Sequence, residues 1–326
     1  MTLNSYPSIY NLGHSALTDL FSDPVLIQEK LDGSQFSFGL RFRTGYGGDL
    51  ALYVRSKGVQ WVIAEQTDGV WSERAVSQQK MFESGEVEVY NRKNMLEVNW
   101  TYRGEYFQKP KHNTLAYDRI PVGHIALFDI DKGLEDYMYH EDLNKTAKML
   151  GFEAVSTLFH GYIPASEEGL DKLTSILSNT ESALGGTTIE GVVIKNYYKY
   201  GPDKKALMGK FVREDFKEKN NKNWKEGNPN KKDFIISMGE VLRTEARWAK
   251  AVQHLREKGE LADSPRDIGA LIQEVQNDIV KEEEDWIKKK LWDWAKPLLM
   301  KDATRGLPEW YKERLMEKQF ESNSSS

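Results

Sequence analysis

The sequence predicts an α+β fold in which an N-terminal half of antiparallel sheets flanked by helices is followed by an all-α C-terminal half. Two patterns predict it: short apolar runs alternate with turn signals over residues 25–215, and apolar residues recur at helical spacing beyond residue 232. A polar stretch at residues 220–232 separates the two patterns and is typical of a linker. We therefore predict domains at residues 1–219 and 233–326, a division that the 326-residue length allows.

The N-terminal half contains runs in which apolar and polar residues alternate, which is the period of a half-buried strand. Strands are predicted at residues 35–42, 50–54, 59–64, 86–90, 124–130 and 188–196. Helical spacing predicts three helices, at residues 73–82, 141–150 and 167–178. Gly151 follows the second helix and is expected to be its C-cap.

The C-terminal half is predicted to be helical because its apolar residues recur near a period of 3.6. Ser264 followed by Pro265 marks a helix start, since a capping residue precedes a proline at the first helical position. Pro297 is expected to bend or end that helix, and a short helix is predicted after Pro308. Trp286 and Trp294 occur at helical spacing, so we expect them to pack in the core rather than stack on nucleic-acid bases.

Composition excludes several classes of protein. The chain contains no cysteine, which rules out disulfides, thiolate metal sites and a cysteine nucleophile. No apolar stretch approaches the length of a membrane-spanning helix, and the first ten residues lack the pattern of a signal peptide. We therefore expect a cytoplasmic protein that does not contact a membrane.

The charge of the chain is unevenly distributed. A net charge of −5 argues against a general nucleic-acid-binding protein, yet residues 195–232 contain twelve lysines and arginines and only five acidic residues. Such a segment can bind a phosphate backbone locally, although charge alone favours a solvated surface. Basic and aromatic residues also interleave over residues 105–119, which fits a nucleic-acid path and a plain surface loop equally.

The clearest candidate catalytic segment is residues 25–34, in which an apolar strand ends in Lys30 and is followed by Asp32 and Gly33. Desolvation at a strand end lowers the pKa of a lysine and frees its amine as a nucleophile. The charge of Asp32 opposes this effect, so a nucleophilic Lys30 requires a cation nearby. Taken alone, these residues fit a salt-bridged turn better than an active site.

Further segments add candidate residues in order along the chain. Arg55 ends a strand and offers a guanidinium for phosphate or ribose oxygens, and Glu105 follows a glycine at which backbone can approach closely. Phe128 lies in an apolar strand and could cover a base. Glu190 precedes another apolar strand, and Lys210 lies in the basic segment. Each is more often a strand-end charge or a core residue, but their order favours a shared site.

That order resembles the covalent nucleotidyltransferase superfamily of ligases and RNA capping enzymes. Residues 29–33 (EKLDG) and 190–195 (EGVVIK) carry most of the resemblance, which covers about residues 25–216. The details look most like ATP-dependent RNA ligases of the RNA ligase 2 type. The resemblance implies a nucleotidyltransferase, or adenylyltransferase, domain in the N-terminal half.

The resemblance also implies roles for the matched residues. Lys30 would attack the α-phosphate of ATP and carry AMP covalently, while the backbone of Glu29 contacts adenine and Phe128 stacks on it. Arg55 would contact ribose or phosphate, and Glu105 a ribose hydroxyl. The residues implied to bind the nucleotide are Glu29, Lys30, Arg55, Glu105, Phe128, Val192, Lys195 and Lys210.

The implied catalytic residues are Lys30, Asp32, Glu190 and Lys210, with Glu190 as the metal ligand. Catalysis of phosphoryl transfer depends more on positioning the reacting groups and neutralising their charge than on covalent chemistry by the protein. Mg²⁺ or Mn²⁺ suits a site of one or two carboxylates plus phosphates, and would supply the cation that keeps Lys30 deprotonated.

The chain departs from the family pattern at the last motif. This motif usually contains two lysines separated by one residue, whereas here only Lys210 fits, between Met208 and Val212. The second lysine would have to be replaced by another cation of the basic segment. The candidates are Lys204, Lys205 and Arg213.

The predicted function is therefore an ATP-dependent RNA ligase that joins 5′-phosphate and 3′-hydroxyl ends of RNA or a nicked nucleic acid, acting as a monomer. DNA ligases and mRNA guanylyltransferases follow the last motif with a β-rich domain, whereas helices are predicted here. A non-catalytic nucleic-acid-binding relative is a third possibility, which the intact Lys30, Glu105 and Glu190 disfavour. We further expect deletion of residues 233–326 to spare lysyl–AMP formation but to abolish sealing.

Overall fold

The computed structural model describes residues 2–43, 48–212 and 231–323 of the chain, and these contain two β-sheets. The strands are β1 (Ile9–Asn11), β2 (Val25–Lys30), β3 (Ser34–Phe42), β4 (Leu50–Arg55), β5 (Gln60–Thr67), β6 (Val70–Trp71), β7 (Thr101–Tyr106), β8 (Ile125–Asp131), β9 (Glu153–Ala154), β10 (Thr157–Gly161), β11 (Gly191–Tyr200) and β12 (Ala206–Val212). Sheet A has the order β1-β12-β11-β2-β10 and sheet B the order β6-β5-β4-β3-β7-β8-β9. Neighbouring strands are antiparallel except in the pairs β1–β12 and β8–β9.

Helices flank the sheets and dominate the C-terminal part of the chain. They are α1 (Glu83–Asn91), α2 (His140–Met149), α3 (Glu167–Asn179), α4 (Lys231–Leu242), α5 (Glu245–Lys258), α6 (Ile268–Ala303) and α7 (Leu307–Asn323). The first three alternate with strands, whereas the last four follow one another. This confirms the predicted α+β fold with a helical C-terminal region.

Three clusters of buried apolar residues hold this arrangement together. The largest joins one face of sheet B to α1 and α2, and a second joins one face of sheet A to α3. A smaller cluster lies at the ends of strands from both sheets, and includes Leu31, Phe107 and Ala126. Burial of such surface is the main stabilising contribution to folding, and here the third cluster supports the loop that follows Lys30.

β2 lies in the interior of sheet A between β11 and β10. Val25 and Ile27 pack into the core with α3, so the alternate residues of β2 face the other way. In the antiparallel pairing with β11, Lys30 is opposite Gly191 and Gln28 is opposite Val193. The register therefore brings the end of β2 beside residue 190, which precedes β11.

The predicted strand at residues 86–90 is wrong, because this segment belongs to helix α1. Its alternation of glutamate and valine suggested a strand, but Glu86 is fully buried and Val87 is exposed. The buried residues Glu86 and Val89 are three positions apart, which is helical spacing. The predicted helix at 73–82 is also wrong, since the structure has only a short 3-10 turn at Lys80–Phe82 before α1 begins.

Several predicted helix features are confirmed. Gly151 follows α2 with φ of +71°, and the backbone amide of Phe152 donates to the carbonyl of Ala147, which is a Schellman ending. The Ser264 side chain accepts from the backbone of Arg266 at a helical start, and Asp267 completes a capping box.

Other C-terminal expectations need correction or are not covered. Pro297 lies inside α6, so it does not end this helix, and a bend at Pro297 stays a prediction. Trp286 and Trp294 are half-buried rather than core residues, and α6 contains no buried residue. The linker at residues 220–232, Arg213 and most of the basic segment lie largely or wholly outside the described residues.

The chain divides into two compact units, Met1–Asn277 and Asp278–Ser326. The first unit contains both sheets together with helices α1 to α5. None of the helices in the described residues is long and apolar enough to cross a membrane.

We predict that Glu86→Ala destabilises the protein by about 2–4 kcal/mol, because the carboxylate is fully buried and accepts three hydrogen bonds. Its donors are Trp61 Nε1 at 2.9 Å, Ser77 Oγ at 2.7 Å and Arg74 Nη1 at 3.0 Å. The measurement is the free energy of unfolding in urea. The matched control is Glu83→Ala in the same helix, where the side chain is 55% exposed and the expected change is below about 0.5 kcal/mol. Equal losses in the two variants would contradict the prediction.

Candidate active site

The site is centred on a contact between the end of β2 and the residue before β11. Lys30 Nζ donates to Glu190 Oε2 at 2.6 Å, although the two residues are 160 positions apart in the sequence. Both side chains are partly accessible, at 27% for Lys30 and 16% for Glu190. The pair is thus sheltered from water while still open to a ligand.

The charges around Lys30 keep its amine protonated in this state. Burial alone would lower the pKa of Lys30, but Glu190, Asp32 and Glu105 outweigh that effect and raise the pKa above its ordinary value. A nucleophilic amine therefore requires either transfer of a proton to a neighbouring carboxylate or a cation that offsets the negative charge.

Glu105 lies in β7 opposite Gln35 of β3 and Ala126 of β8. Burial raises the pKa of Glu105 to about 8, and Glu257, Asp32 and Glu190 add to the effect while Lys30 opposes it. Three carboxyl groups, those of Glu190, Asp32 and Glu105, therefore act on Lys30. Such perturbed acids are typical of functional sites.

Asp32 is engaged by a loop from sheet B rather than by Lys30. Its Oδ2 accepts from the backbone amides of Thr114 and Leu115 at 2.7 and 2.8 Å, and its own amide donates to the Tyr117 hydroxyl at 2.9 Å. Next to it, a Cβ at Gly33 would lie 2.6 Å from the Tyr106 carbonyl oxygen, so only glycine fits there. Asp32 thus holds the loop after Lys30, and its predicted catalytic role stays a prediction.

Lys195 and Phe128 meet on the side of sheet A that faces sheet B. Lys195 is 2% exposed, and its Nζ donates to Asp129 Oδ2 and to the Phe128 carbonyl, each at 2.9 Å. Burial lowers the pKa of Lys195, and Asp129 opposes the shift. Phe128 is half-buried, with its ring centroid 5.0 Å from that of Tyr6. The structure gives Lys195 a protein partner, and its contact with a nucleotide stays a prediction.

The assignment of Val192 to the nucleotide needs correction. Val192 is fully buried in the core between sheet A and α3, on the face opposite to that of Lys30. Alternate residues of a strand point to opposite faces, so the valine on the same face as Lys195 is Val193. Val193 is opposite Gln28 of β2 and Lys210 of β12 in the sheet. We therefore replace Val192 by Val193 in the candidate site.

Gln28 is a candidate residue that the sequence did not reveal. It shares a face of β2 with Lys30, is 1% exposed, and neither atom of its side-chain amide has a hydrogen-bond partner among the described residues. A buried amide without partners is costly, which points to a ligand-facing role. The only sequence signal was its place two residues before Lys30 in an otherwise apolar strand.

Glu29 faces away from Gln28 and Lys30. Its carboxylate accepts from Ser182 Oγ at 2.6 Å and the Ala183 amide at 3.1 Å, and burial raises its pKa. Its backbone amide donates to the Ser156 carbonyl at 3.0 Å. The side chain is thus structural, and recognition of adenine by the backbone of Glu29 stays a prediction.

Two cationic candidates lie in strands of different sheets. Arg55 ends β4 and is half-buried, and burial together with nearby Arg103 lowers its pKa. Lys210 lies in β12, opposite Asn11 as well as Val193, and is partly exposed. Of the flanking positions in β12, Met208 is fully buried and Val212 is partly exposed.

Two histidines near the site have protein partners. His112 Nε2 lies 2.9 Å from Ser34 Oγ, and burial lowers its pKa to about 4. His124 Nδ1 lies 2.8 Å from the Phe107 carbonyl. Both residues therefore support the loops around the site.

Similarity to known proteins agrees with this geometry. The RNA ligase family matches residues 23–212, which include β2 to β12 and therefore Lys30, Glu105 and Glu190. No match was found among curated proteins.

Solved structures with similar folds include a protein from Aquifex aeolicus assigned as an ATP-dependent DNA ligase. The two chains are 17% identical and superpose with a TM-score of 0.41, and the alignment covers 88% of this chain and 68% of that one. Another is a mutant of Naegleria gruberi RNA ligase with ATP and Mn, at 15% identity and a TM-score of 0.44, covering 65% of this chain and 57% of that one. The chain thus spans little more than half of the Naegleria protein. These overall similarities are low, and the assignment rests on the family match over more than half of the chain. The chain belongs to the RNA ligase family, within the nucleotidyltransferase superfamily.

Proposed function

We propose that this protein is an ATP-dependent RNA ligase in which Lys30 carries AMP covalently. The observation that supports it is the 2.6 Å contact between Lys30 Nζ and Glu190 Oε2, two residues that lie within the range matched by the RNA ligase family. A lysine at a sheltered strand end with a carboxylate in contact is suited to nucleophilic attack on phosphorus.

Ligation would proceed in three transfers at this pocket. Lys30 Nζ loses a proton, for which Glu190 is the nearest carboxylate, and attacks the α-phosphorus of ATP, so that an N–P bond forms and the bond to pyrophosphate breaks. An oxygen of a 5′-phosphate end then attacks the same phosphorus, and the N–P bond breaks. Finally a 3′-hydroxyl attacks the 5′-phosphate phosphorus, forms the phosphodiester and releases AMP.

A divalent cation fits the donor chemistry of this site. The described residues contain no group of three side chains arranged to hold a metal by themselves. Mg²⁺ and Mn²⁺ use water and phosphate oxygens in addition to one or two carboxylates, which Glu190 and Glu105 could supply. When bound, the ion would neutralise phosphate charge and favour the uncharged form of Lys30.

The base would bind between Phe128 and the face of sheet A that carries Val193. Gln28 on that face has an unpaired donor and an unpaired acceptor, which suits the edge of adenine. Arg55 and Lys210 would contact the ribose or phosphates. Nucleic-acid ends would approach from the solvent side of Lys30.

We predict that incubation with ATP and Mg²⁺ adds one AMP to the wild-type protein and none to Lys30→Ala, because only the ε-amine supplies the nucleophile. The measurement is intact mass, and Lys145→Ala in α2, where the side chain is 76% exposed, serves as a lysine variant that keeps the nucleophile. Absence of any adduct with the wild type would reject the proposal, and an adduct of GMP alone would indicate capping chemistry instead. Sealing is then scored on 5′-phosphorylated nicked and single-stranded RNA and on the same DNA, where joining of DNA alone would point to a DNA ligase.

We predict that Gln28→Leu lowers the preference for ATP over GTP by about tenfold or more. Sites built to hydrogen-bond a ligand lose discrimination when the polar partner is removed. The measurement is the rate of adduct formation with each nucleotide, with Gln273→Leu on the exposed side of α6 as the control. An unchanged ratio in Gln28→Leu would exclude this residue from base recognition.

We predict that Glu105→Gln makes the free energy of unfolding of the nucleotide-free protein less dependent on pH. The same substitution should slow adenylylation. The folded-state pKa of about 8 lies above the ordinary value of 4.5, so the stability that Glu105 contributes is present below pH 4.5 and is lost as the pH rises through about 8. Between about pH 5 and about pH 9 the free energy of unfolding should fall more in the wild type than in Glu105→Gln. The exposed Glu168→Gln should follow the wild type, and parallel curves for all three would refute the assignment.

A further inference from the structure

Helix α5 lies outside the residues that match the RNA ligase family, yet it contacts the loop that follows Lys30. Gln253 Nε2 donates to the Gly33 carbonyl at 3.2 Å and to Ser34 Oγ at 3.3 Å. The same amide nitrogen lies 2.8 Å from Glu257 Oε1, one turn further along the helix. Three acceptors therefore surround one amide group, which fixes the side chain of Gln253.

The same helix also contacts the turn that follows Arg55. Ser56 Oγ donates to the Glu257 carbonyl at 3.3 Å, and Lys57 Nζ lies 2.9 Å from His254 Nε2. Ser56 and Glu257 are 1% and 3% exposed, so this contact is buried. At Gly58 an added Cβ would come within 2.8 Å of the Lys258 side chain, which shows how closely the helix and the turn approach.

The loop after Lys30 is held from its other side by the loop at residues 113–117. Asn113 Nδ2 donates to the Gly33 carbonyl at 2.7 Å, so this carbonyl accepts hydrogen bonds from both sides. Ser34 Oγ likewise lies between Gln253 and His112. If the contact from α5 is removed, the loop is held on one side only.

We propose that α5 braces the adenylylation site and that Gln253 is a positioning residue for Lys30, an inference that rests on the proposed function. Gly33 is three residues from the nucleophile, and transfer rates fall steeply when reacting groups are displaced by about an ångström. Gln253 acts on the reaction only through the backbone of Gly33 and the side chain of Ser34. The first transfer thus depends on a residue far beyond the matched region.

This inference differs from the expectation drawn from the sequence, in which the C-terminal helices serve sealing and leave lysyl–AMP formation intact. α5 belongs to the same compact unit as both sheets. Removal of residues 233–326 would leave Ser34, Ser56 and the Gly33 carbonyl without their contacts to α5. We therefore expect the helical region to affect adenylylation as well as sealing.

The test uses the full chain with ATP and Mn²⁺ and follows formation of the AMP adduct in a single turnover. In Gln253→Ala we expect the rate at saturating ATP to fall about three- to tenfold, the size expected for loss of one hydrogen bond. The ATP concentration at half-maximal rate should change little, since Gln253 would not touch the nucleotide. Backbone hydrogen exchange over residues 31–36 should become faster in the same variant. The matched control is Gln273→Ala, whose exposed amide bonds only to Asn277 at 3.0 Å among the described contacts of α6.

The outcomes separate the two proposals. If the wild type forms no AMP adduct, the proposed function fails and this inference fails with it. If the wild type is active and Gln253→Ala matches Gln273→Ala in both rate and exchange, only the inference is overturned. The inference is also overturned if Gln253→Ala is less thermally stable than the wild type but its folded fraction forms the adduct at an unchanged rate. Gln253→Met keeps the length of the side chain but removes the donor without adding a charge beside Glu257, and should behave like Gln253→Ala.

Discussion

The pairing register of β2 with β11 is the constraint on which the site depends. It places Gly191 opposite Lys30 and so brings Glu190 within 2.6 Å of the amine. A shift of one residue would turn Lys30 towards the core with α3 and Gln28 with it, because side chains alternate between faces. The register is secured by Val25, Ile27, Val192 and Ile194, which are all fully or almost fully buried on the opposite face. The packing of sheet A against α3 therefore determines where Lys30 and Gln28 are placed on the other face of the sheet.

Around this contact the described residues bring several carboxylates close to Lys30. Burial raises the pKa of Glu105 to about 8, and Glu257, Asp32 and Glu190 add to this shift. Glu190, Asp32 and Glu105 in turn raise the pKa of Lys30. Such an arrangement is unfavourable for folding and is expected where a ligand supplies the missing charge. It also sets a requirement on the proposed transfer of AMP to Lys30, because these charges keep Lys30 protonated. The same carboxylates that make the resting state unreactive are suited to a bound cation and the hydroxyls of a ribose.

Much of this could be predicted from the sequence, and the failures have identifiable causes. Lys30, Glu105 and Glu190 were predicted because they occur in ordered motifs at strand ends. The segment at residues 86–90 was mistaken for a strand because a buried glutamate that satisfies Trp61, Ser77 and Arg74 looks like a surface residue in sequence. Val192 was named as a nucleotide contact without regard to its face, because the face of a strand residue depends on the pairing of the strands, which no motif specifies. Gln28 was missed because its unpaired amide becomes visible only once its neighbours are in place.

The contact of α5 with the loop after Lys30 shows a further limit of motif-based assignment. Gln253 and Gly33 are 220 positions apart, and nothing in the local sequence of either residue indicates that they meet. The family match ends at residue 212, so a boundary drawn from it would treat α5 as part of a separate module. In the structure the helix instead contacts one side of the loop that follows Lys30, while Asn113 contacts the other. If α5 braces the site as proposed, a residue outside the matched range affects the transfer of AMP to Lys30 without belonging to any of the motifs.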